Sequence, residues 1–179
     1  DAGRLVGDTL VATVMSNLGL EIALRRHGVK LDRTQVGDRY VVAHMREHGY
    51  TVGGEQSGHL IFLDHASTGD GLLAALQVLA IMQRTGRPLS ELRKVMDHYP
   101  QVLVNLRVRD KPAIEELVEV QAAIENAHRR LGDDGRVLVR YSGTEPKARV
   151  MVEGSDSAMI HQCAEEIAAA MRAAIGEAR

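Results

Sequence analysis

Near Pro100 the hydrophobic pattern changes its period, and no single regular architecture accommodates both sides of that change. Over residues 101–109 the chain alternates, with Val102, Val104, Leu106 and Val108 on one side and Asn105, Arg107 and Arg109 on the other, as a sheet wet on one face requires. Before Pro100, strand-like and helix-like stretches take turns. Residues 9–15 read as a β-branched strand, Ser16 and Asn17 as caps for a helix over 18–27, 29–36 as a short strand and 38–48 as a helix stopped by Gly49. Residues 50–52 and 60–63 read as strands flanking a glycine-rich loop. A helix over 72–84, capped within 67–70, is apolar on nearly every face and is therefore expected to be buried, and a short helix follows over 89–98.

Beyond the alternating strand, an amphipathic helix is expected over 113–131, two strands over 136–141 and 148–153 separated by a polar loop, and a closing helix over 157–175 with Ile160, Ala164, Ile167, Met171 and Ile175 on one stripe. The fold class is α/β. An α/β layer domain with a mixed sheet is expected over residues 1–99, followed over 100–179 by a smaller α+β domain with an antiparallel sheet and helices on one face. Residues 1–8 read as the remnant of a linker, and the chain, which opens on Asp1, as part of something longer.

Composition narrows the functions open to such a chain. Its 179 residues carry a formal net charge of -2, so no global positive field draws it to nucleic acid or anionic lipid. With no Trp and one Phe, it lacks the stacking platforms that single-stranded nucleic acid needs. No apolar run is long enough to span a membrane. A single cysteine, Cys163, and the absence of a secretory signal indicate a reducing cytoplasm. Nothing in the sequence indicates an oligomeric state.

Two loops carry chemistry. In Gly53-Gly54-Glu55-Gln56-Ser57-Gly58-His59 the glycines allow a tight approach, while Glu55, Ser57 and His59 project a carboxylate, a hydroxyl and an imidazole from alternating positions, a set suited to a polyhydroxylated ligand. In Arg140-Tyr141-Ser142-Gly143-Thr144-Glu145-Pro146, with Arg149 beyond, backbone amides around Ser142, Gly143 and Thr144 can form an anion nest, two hydroxyls add donors and arginine can grip phosphate bidentately. The loop lacks the ending of a Walker motif, so nucleotide hydrolysis is not implied. Chemistry alone leaves each loop open to the plainer reading of an ordinary hairpin with solvated polar residues.

The strings V-G-D-R-Y at 36–40, G-G-E-Q-S-G-H at 53–59, T-G-D-G at 68–71 and R-Y-S-G-T-E-P-K-A-R-V at 140–150 together resemble the C-terminal half of the bacterial phosphoglucosamine mutases, members of the α-D-phosphohexomutase superfamily. The resemblance implies a role in amino-sugar metabolism and cell-wall (peptidoglycan) precursor synthesis. It assigns Glu55, Ser57 and His59 to sugar recognition and Arg140, Ser142, Gly143 and Thr144 to the non-reacting phosphate, with Arg149 as helper. The family's phosphoserine loop and its D-G-D-G-D-R magnesium loop are absent from this sequence. Catalytic Mg2+ and a sugar bisphosphate activator are therefore expected only in a full-length enzyme, with no metal site and no bound cofactor on this chain, which alone is expected to be an inactive binder of a phosphosugar. Where relatives often carry Lys or Arg before the V-G-D-R-Y segment, this chain has Gln35. No catalytic residue is thus assigned, and His59 and Arg39 stand as candidates for proton transfer. A phosphomannomutase or phosphoglucomutase, and a non-catalytic sugar-phosphate binding module, are the alternatives.

Other patterns are read as structural. His44-Met45-Arg46-Glu47-His48 fits an H-x-x-E-H metal pattern but has no evident third ligand elsewhere, so it is taken as solvated helix surface. Asp133-Asp134-Gly135 is taken as a turn, Asp70 as a first-turn carboxylate favoured by the helix dipole, and Cys163 as a packing residue.

Overall fold

The computed structural model describes residues 5–176, which divide into two compact units after His98. Of the stretch expected to be a linker remnant, residues 1–4 lie outside the described residues, and Val6–Asp8 form a 3₁₀ turn that leads directly into the first strand.

In the first unit, strands β1 (Thr9–Thr13), β2 (Lys30–Thr34), β3 (Val52–Gly54) and β4 (Leu60–Phe62) form a sheet of order β2-β1-β3-β4. The first three strands run parallel and β4 pairs antiparallel with β3, so the sheet is mixed. Helices α1 (Leu18–Arg26) and α2 (Asp38–His48) connect the parallel strands. Asn17 caps α1 by accepting the Gly19 amide at 3.0 Å. The core of this unit is small: Val11, Val41, Met45 and Ile61, with Val42, Tyr50 and Leu63 packed against them.

Three expectations are corrected here. The third strand lies at Val52–Gly54 rather than 50–52, although glycine is a poor strand former. Gly53 is there because α2 lies close over it: a Cβ at Gly53 would stand 2.5 Å from Met45 Sδ and 2.9 Å from Val41 Cγ1. The long helix α3 (Gly71–Thr85), expected to be buried, has only Ala74 buried, while Leu72, Leu76 and Leu79 are 74%, 54% and 56% exposed. It packs on the edge strand β4, and one strand covers one stripe of a helix, not its whole circumference. The following helix, α4 (Leu89–Leu92), is a single turn rather than the expected 89–98.

The second unit is a three-stranded antiparallel sheet, β5 (Gln101–Arg107), β6 (Gly135–Tyr141) and β7 (Lys147–Gly154), with β7 in the centre. Helices α5 (Val118–Leu131) and α6 (Ser157–Ile175) cover one face. The even residues of β5 face these helices as expected, and Ile160, Ala164, Ile167 and Met171 of α6 are fully buried with Cys163 among them. Burial pushes the Cys163 thiol up, away from nucleophilic use. The expected single helix over 113–131 is broken: Ile114–Glu116 form a 3₁₀ turn, and Leu117, at φ -87° and ψ 87°, separates it from α5. Gln121 holds this turn by donating to the Ile114 carbonyl at 3.0 Å, a link the amphipathic period does not encode.

On the far face of the sheet the central strand is covered by long side chains from its neighbours. Glu153, fully buried, accepts from Arg136 at 2.6 and 2.9 Å and from Gln101 at 2.9 Å, so its charge is matched where it is desolvated. Further along the same face, register sets Arg140 opposite Arg149 and Arg149 opposite Asn105.

Candidate functional site

The parallel strands β1, β2 and β3 end at one edge of their sheet, where open α/β sheets characteristically place ligands. The loops after β2 and β3 meet there. Glu55 Oε1 accepts the backbone N–H of Gly37 at 2.8 Å, so the carboxylate of the G-G-E-Q-S-G-H loop is pinned by the V-G-D-R-Y segment 18 residues earlier. The loop closes on itself through the Glu55 amide donating to the His59 carbonyl at 2.8 Å and the Gly58 amide donating to the Glu55 carbonyl at 3.0 Å. Gly58 takes φ +100°, which disfavours any side chain.

The alternating projection expected of this loop is present. Ser57 Oγ lies 3.2 Å from His59 Nδ1 and 3.5 Å from Glu55 Oε2, and the Glu55 carboxylate stands 3.9 Å from His59 Nδ1. Glu55 is 10% exposed and His59 58%, so the carboxylate is the anchored end of the trio and the imidazole the accessible one. Ser57, His59, Gly69 and Asp70 line an open cavity of about 370 Å³, which brings the T-G-D-G segment to the same place. Asp70 itself is the N-cap of α3, accepting the Leu73 amide at 2.9 Å, rather than a first-turn carboxylate. Arg39 is exposed, with its guanidinium 4.6 Å over the Tyr40 ring and its Nη2 donating to Tyr40 Oη at 2.7 Å. No hydrogen bond or ion pair joins it to the Glu55 trio among the described residues.

In the second unit the loop 142–146 joins β6 to β7. Its closure uses the Ser142 amide, which donates to the Lys147 carbonyl at 2.8 Å, and the Ser142 hydroxyl, which accepts the Glu145 amide at 3.2 Å. Of the three amides expected to form a nest, those of Gly143 and Thr144 engage no acceptor among the described residues. Arg140 and Arg149 stand directly opposite on neighbouring strands. Burial first, and the Arg149 charge second, push Arg140 below the ordinary arginine range. Arg149 Nε is buried without an acceptor.

The sequence did not announce the rest of this charge system. Lys111 Nζ donates to the Ser142 carbonyl at 2.6 Å from 31 residues away, with no motif to signal it. Glu145, inside the motif, accepts from Lys147 at 2.6 Å and from Arg149 at 3.2 Å. The Lys147 hydrogen bond and charge, then those of Arg149, hold the Glu145 carboxyl below its usual range. The hairpin thus combines an opposed arginine pair with a resident carboxylate, Glu145, paired to Lys147 and Arg149.

The solvated-surface reading of residues 44–48 is right for Arg46, Glu47 and His48 and wrong for His44 and for Met45, which is fully buried in the core. His44 is half-buried and its Nε2 lies 3.1 Å from Asp32 Oδ2 on β2.

Comparison with known proteins gives the family. Residues 1–99 match the family model for the phosphoglucomutase/phosphomannomutase alpha/beta/alpha domain III, and residues 103–170 match the model for the C-terminal domain of the same family. The chain is 60% identical over 166 residues to the phosphoglucosamine mutase of Myxococcus xanthus, covering 93% of this chain and 36% of that protein. It is 56% identical over 178 residues to that of Geobacter sp. strain M21, covering 99% and 39%. The chain thus spans little more than a third of the length of these curated relatives. The solved N-acetylphosphoglucosamine mutase of Aspergillus fumigatus matches with a TM-score of 0.74 at 22% identity over 93% of this chain and 38% of that one. Its complex with GlcNAc-6P and magnesium gives 0.72 at 22% identity over 93% and 39%, a likeness of fold. With one family model covering more than half of the chain and a second covering most of the remainder, this protein belongs to the phosphoglucomutase/phosphomannomutase family of phosphohexomutases.

Proposed function

We propose that this chain supplies sugar recognition and phosphate recognition to a phosphoglucosamine mutase that interconverts glucosamine 6-phosphate and glucosamine 1-phosphate. In this reading the domains run over 1–99 and 100–179, and the protein works in the cytoplasm; no helix among the described residues is long and apolar enough to cross a membrane. The observation that carries the reading is the Arg140–Arg149 pair. Like charges directly opposite on neighbouring strands are unfavourable, and a dianionic phosphate between them and the Gly143 and Thr144 amides reverses the sign of that interaction.

The reaction transfers phosphoryl groups to and from both ends of the sugar, so the sugar must turn over between half-reactions. A clamp for whichever phosphate is idle then holds the other end in position for transfer. Arg140, Ser142, Gly143 and Thr144 form that clamp, with Arg149 beside them. Glu55, Ser57 and His59 read the sugar hydroxyls: Glu55 accepts, Ser57 donates or accepts, and His59, the accessible member, is better placed than Arg39 to move a proton.

Magnesium, present in the Aspergillus complex, requires an octahedral set of oxygens. Among the described residues, the one trio of side chains near enough to share an ion, His44, Glu47 and His48, brings two imidazoles, a donor set that suits magnesium poorly. No step on this chain is therefore assigned to magnesium. It and a sugar bisphosphate activator belong, in this proposal, to residues outside this chain.

Titration of the 179-residue chain, observed by amide NMR, tests the reading. Inorganic phosphate should shift resonances of residues 140–149, and glucosamine 6-phosphate should shift these and residues 55–59. Shifts scattered over the surface, or absent from both loops, would overturn it. The chain alone should show no mutase turnover with magnesium and a sugar bisphosphate supplied, because the phosphoserine loop is not in its sequence.

A further inference from the structure

We propose that His44, Glu47 and His48 on α2 form a binding site for a divalent transition metal ion of the zinc and nickel class, separate from the sugar and phosphate loops. Three ligand atoms, one from each side chain, lie within 4.8 Å of one another. Residues three and four apart on a helix share a face, so one turn of α2 presents all three. Tetrahedral ligands about 2.0–2.1 Å from zinc stand roughly 3.3 Å apart, so an ion would draw the three atoms together, with the exposed Glu47 carboxylate rotating toward the imidazoles.

Both imidazoles are already held in ligand-ready tautomers. His48 Nδ1 lies 3.0 Å from the His44 carbonyl, which can only accept, so Nδ1 carries the proton and Nε2 the lone pair. His44 Nε2 lies 3.1 Å from the Asp32 carboxylate, which fixes the proton on Nε2 and leaves Nδ1 as the donor nitrogen. A carboxylate behind a histidine is the usual outer support of a metal-binding imidazole. The rings are further braced, with His44 and His48 centroids 4.2 Å apart and His48 stacked on Tyr50 at 5.5 Å and 11°. Two imidazoles and one carboxylate select zinc, nickel or copper over magnesium and calcium, and the remaining coordination positions are left to water.

Zinc chloride added to the chain in a non-coordinating buffer is the test, read by calorimetry and amide NMR. Zinc should shift residues 44–50 and Asp32, and the same concentration of magnesium should not. His48→Ala and Glu47→Gln, both surface changes, should each weaken zinc binding at least tenfold. Asp32→Asn should weaken it about 10–100-fold, the range for an outer-shell partner, with the melting temperature in EDTA unchanged for all three variants. Unaltered zinc affinity in His48→Ala, zinc-induced shifts centred on other histidines such as His59 or His65, or equal responses to zinc and magnesium would each overturn the proposal.

Discussion

The loops 53–59 and 142–146 are both hairpin connections, yet the side chains that anchor them act over different ranges. The sugar loop is held from outside: Glu55 reaches an amide 18 residues away, and that one bond ties the ends of two parallel strands together. The loop 142–146 is closed at shorter range, by Ser142 bonding to Lys147 and Glu145 over three to five residues, with Lys111 and Val108 adding bonds to the Ser142 and Pro146 carbonyls from outside it. Under the proposed function the contrast follows from the ligands. Hydroxyls are weak, directional partners, so their acceptor must be fixed in advance. Phosphate is a strong anion, so its site must above all keep repelling cations together, and Glu145 does that by neutralising Lys147 and Arg149. The first loop is preorganised in shape and the second in charge.

That distinction can be broken experimentally. The largest effect should come from Arg140→Ala, which removes a charged donor and should weaken phosphate binding to the chain by about 1.5–3 kcal/mol, measured by calorimetry with inorganic phosphate. Arg140→Lys should lose nearly as much if the planar fork is used. Next, Glu55→Ala strands the Gly37 amide and should lower stability by about 1–3 kcal/mol in urea denaturation while leaving inorganic phosphate affinity unchanged. A loss of phosphate affinity in that variant would erase the division of labour between the loops.

Gly58→Ala puts a side chain at φ +100° and should cost about 1–2 kcal/mol of stability, again without touching phosphate affinity. The smallest effect concerns Glu145. Its carboxyl titrates below its ordinary value of 4.5 in the folded chain, so the stability it contributes is present above that pH and is lost as acid brings the pH down through the folded value. Glu145→Gln should flatten acid denaturation in that range and modestly tighten phosphate binding, because the resident anion no longer competes. Weaker phosphate binding in Glu145→Gln would mean that the carboxylate orders the loop rather than occupying it.

Legibility in the sequence followed the range of the interactions involved. Helix α6 begins and ends where its stripe of Ile160, Ala164, Ile167 and Met171 indicates, because period and cap are local. Helix α2 is likewise read to the residue, with Gly49 in the left-handed region at its end. The trio Glu55, Ser57 and His59 was legible because period-two projection needs only neighbours. The displaced strand at Gly53 and Gly54 was not, since its position depends on Met45 and Val41 packing from another element. Nor were the Lys111–Ser142 and Glu55–Gly37 bonds, whose partners are distant in the chain and share no pattern.

The sequence by itself determined the change of architecture near Pro100, the alternation of β5 and the glycine-rich and arginine-bearing loops, because periodicity, backbone freedom and side-chain chemistry are properties of short segments. Only the tertiary structure decided that α3 keeps most of its apolar surface exposed, that Arg140 faces Arg149 with Glu145 paired to Arg149, and that Asp32 stands behind His44. Hydrophobicity states how much surface a helix would bury and not what is there to cover it, and a charge or a histidine has no fixed meaning until folding sets the one residue that lies within hydrogen-bonding distance of it.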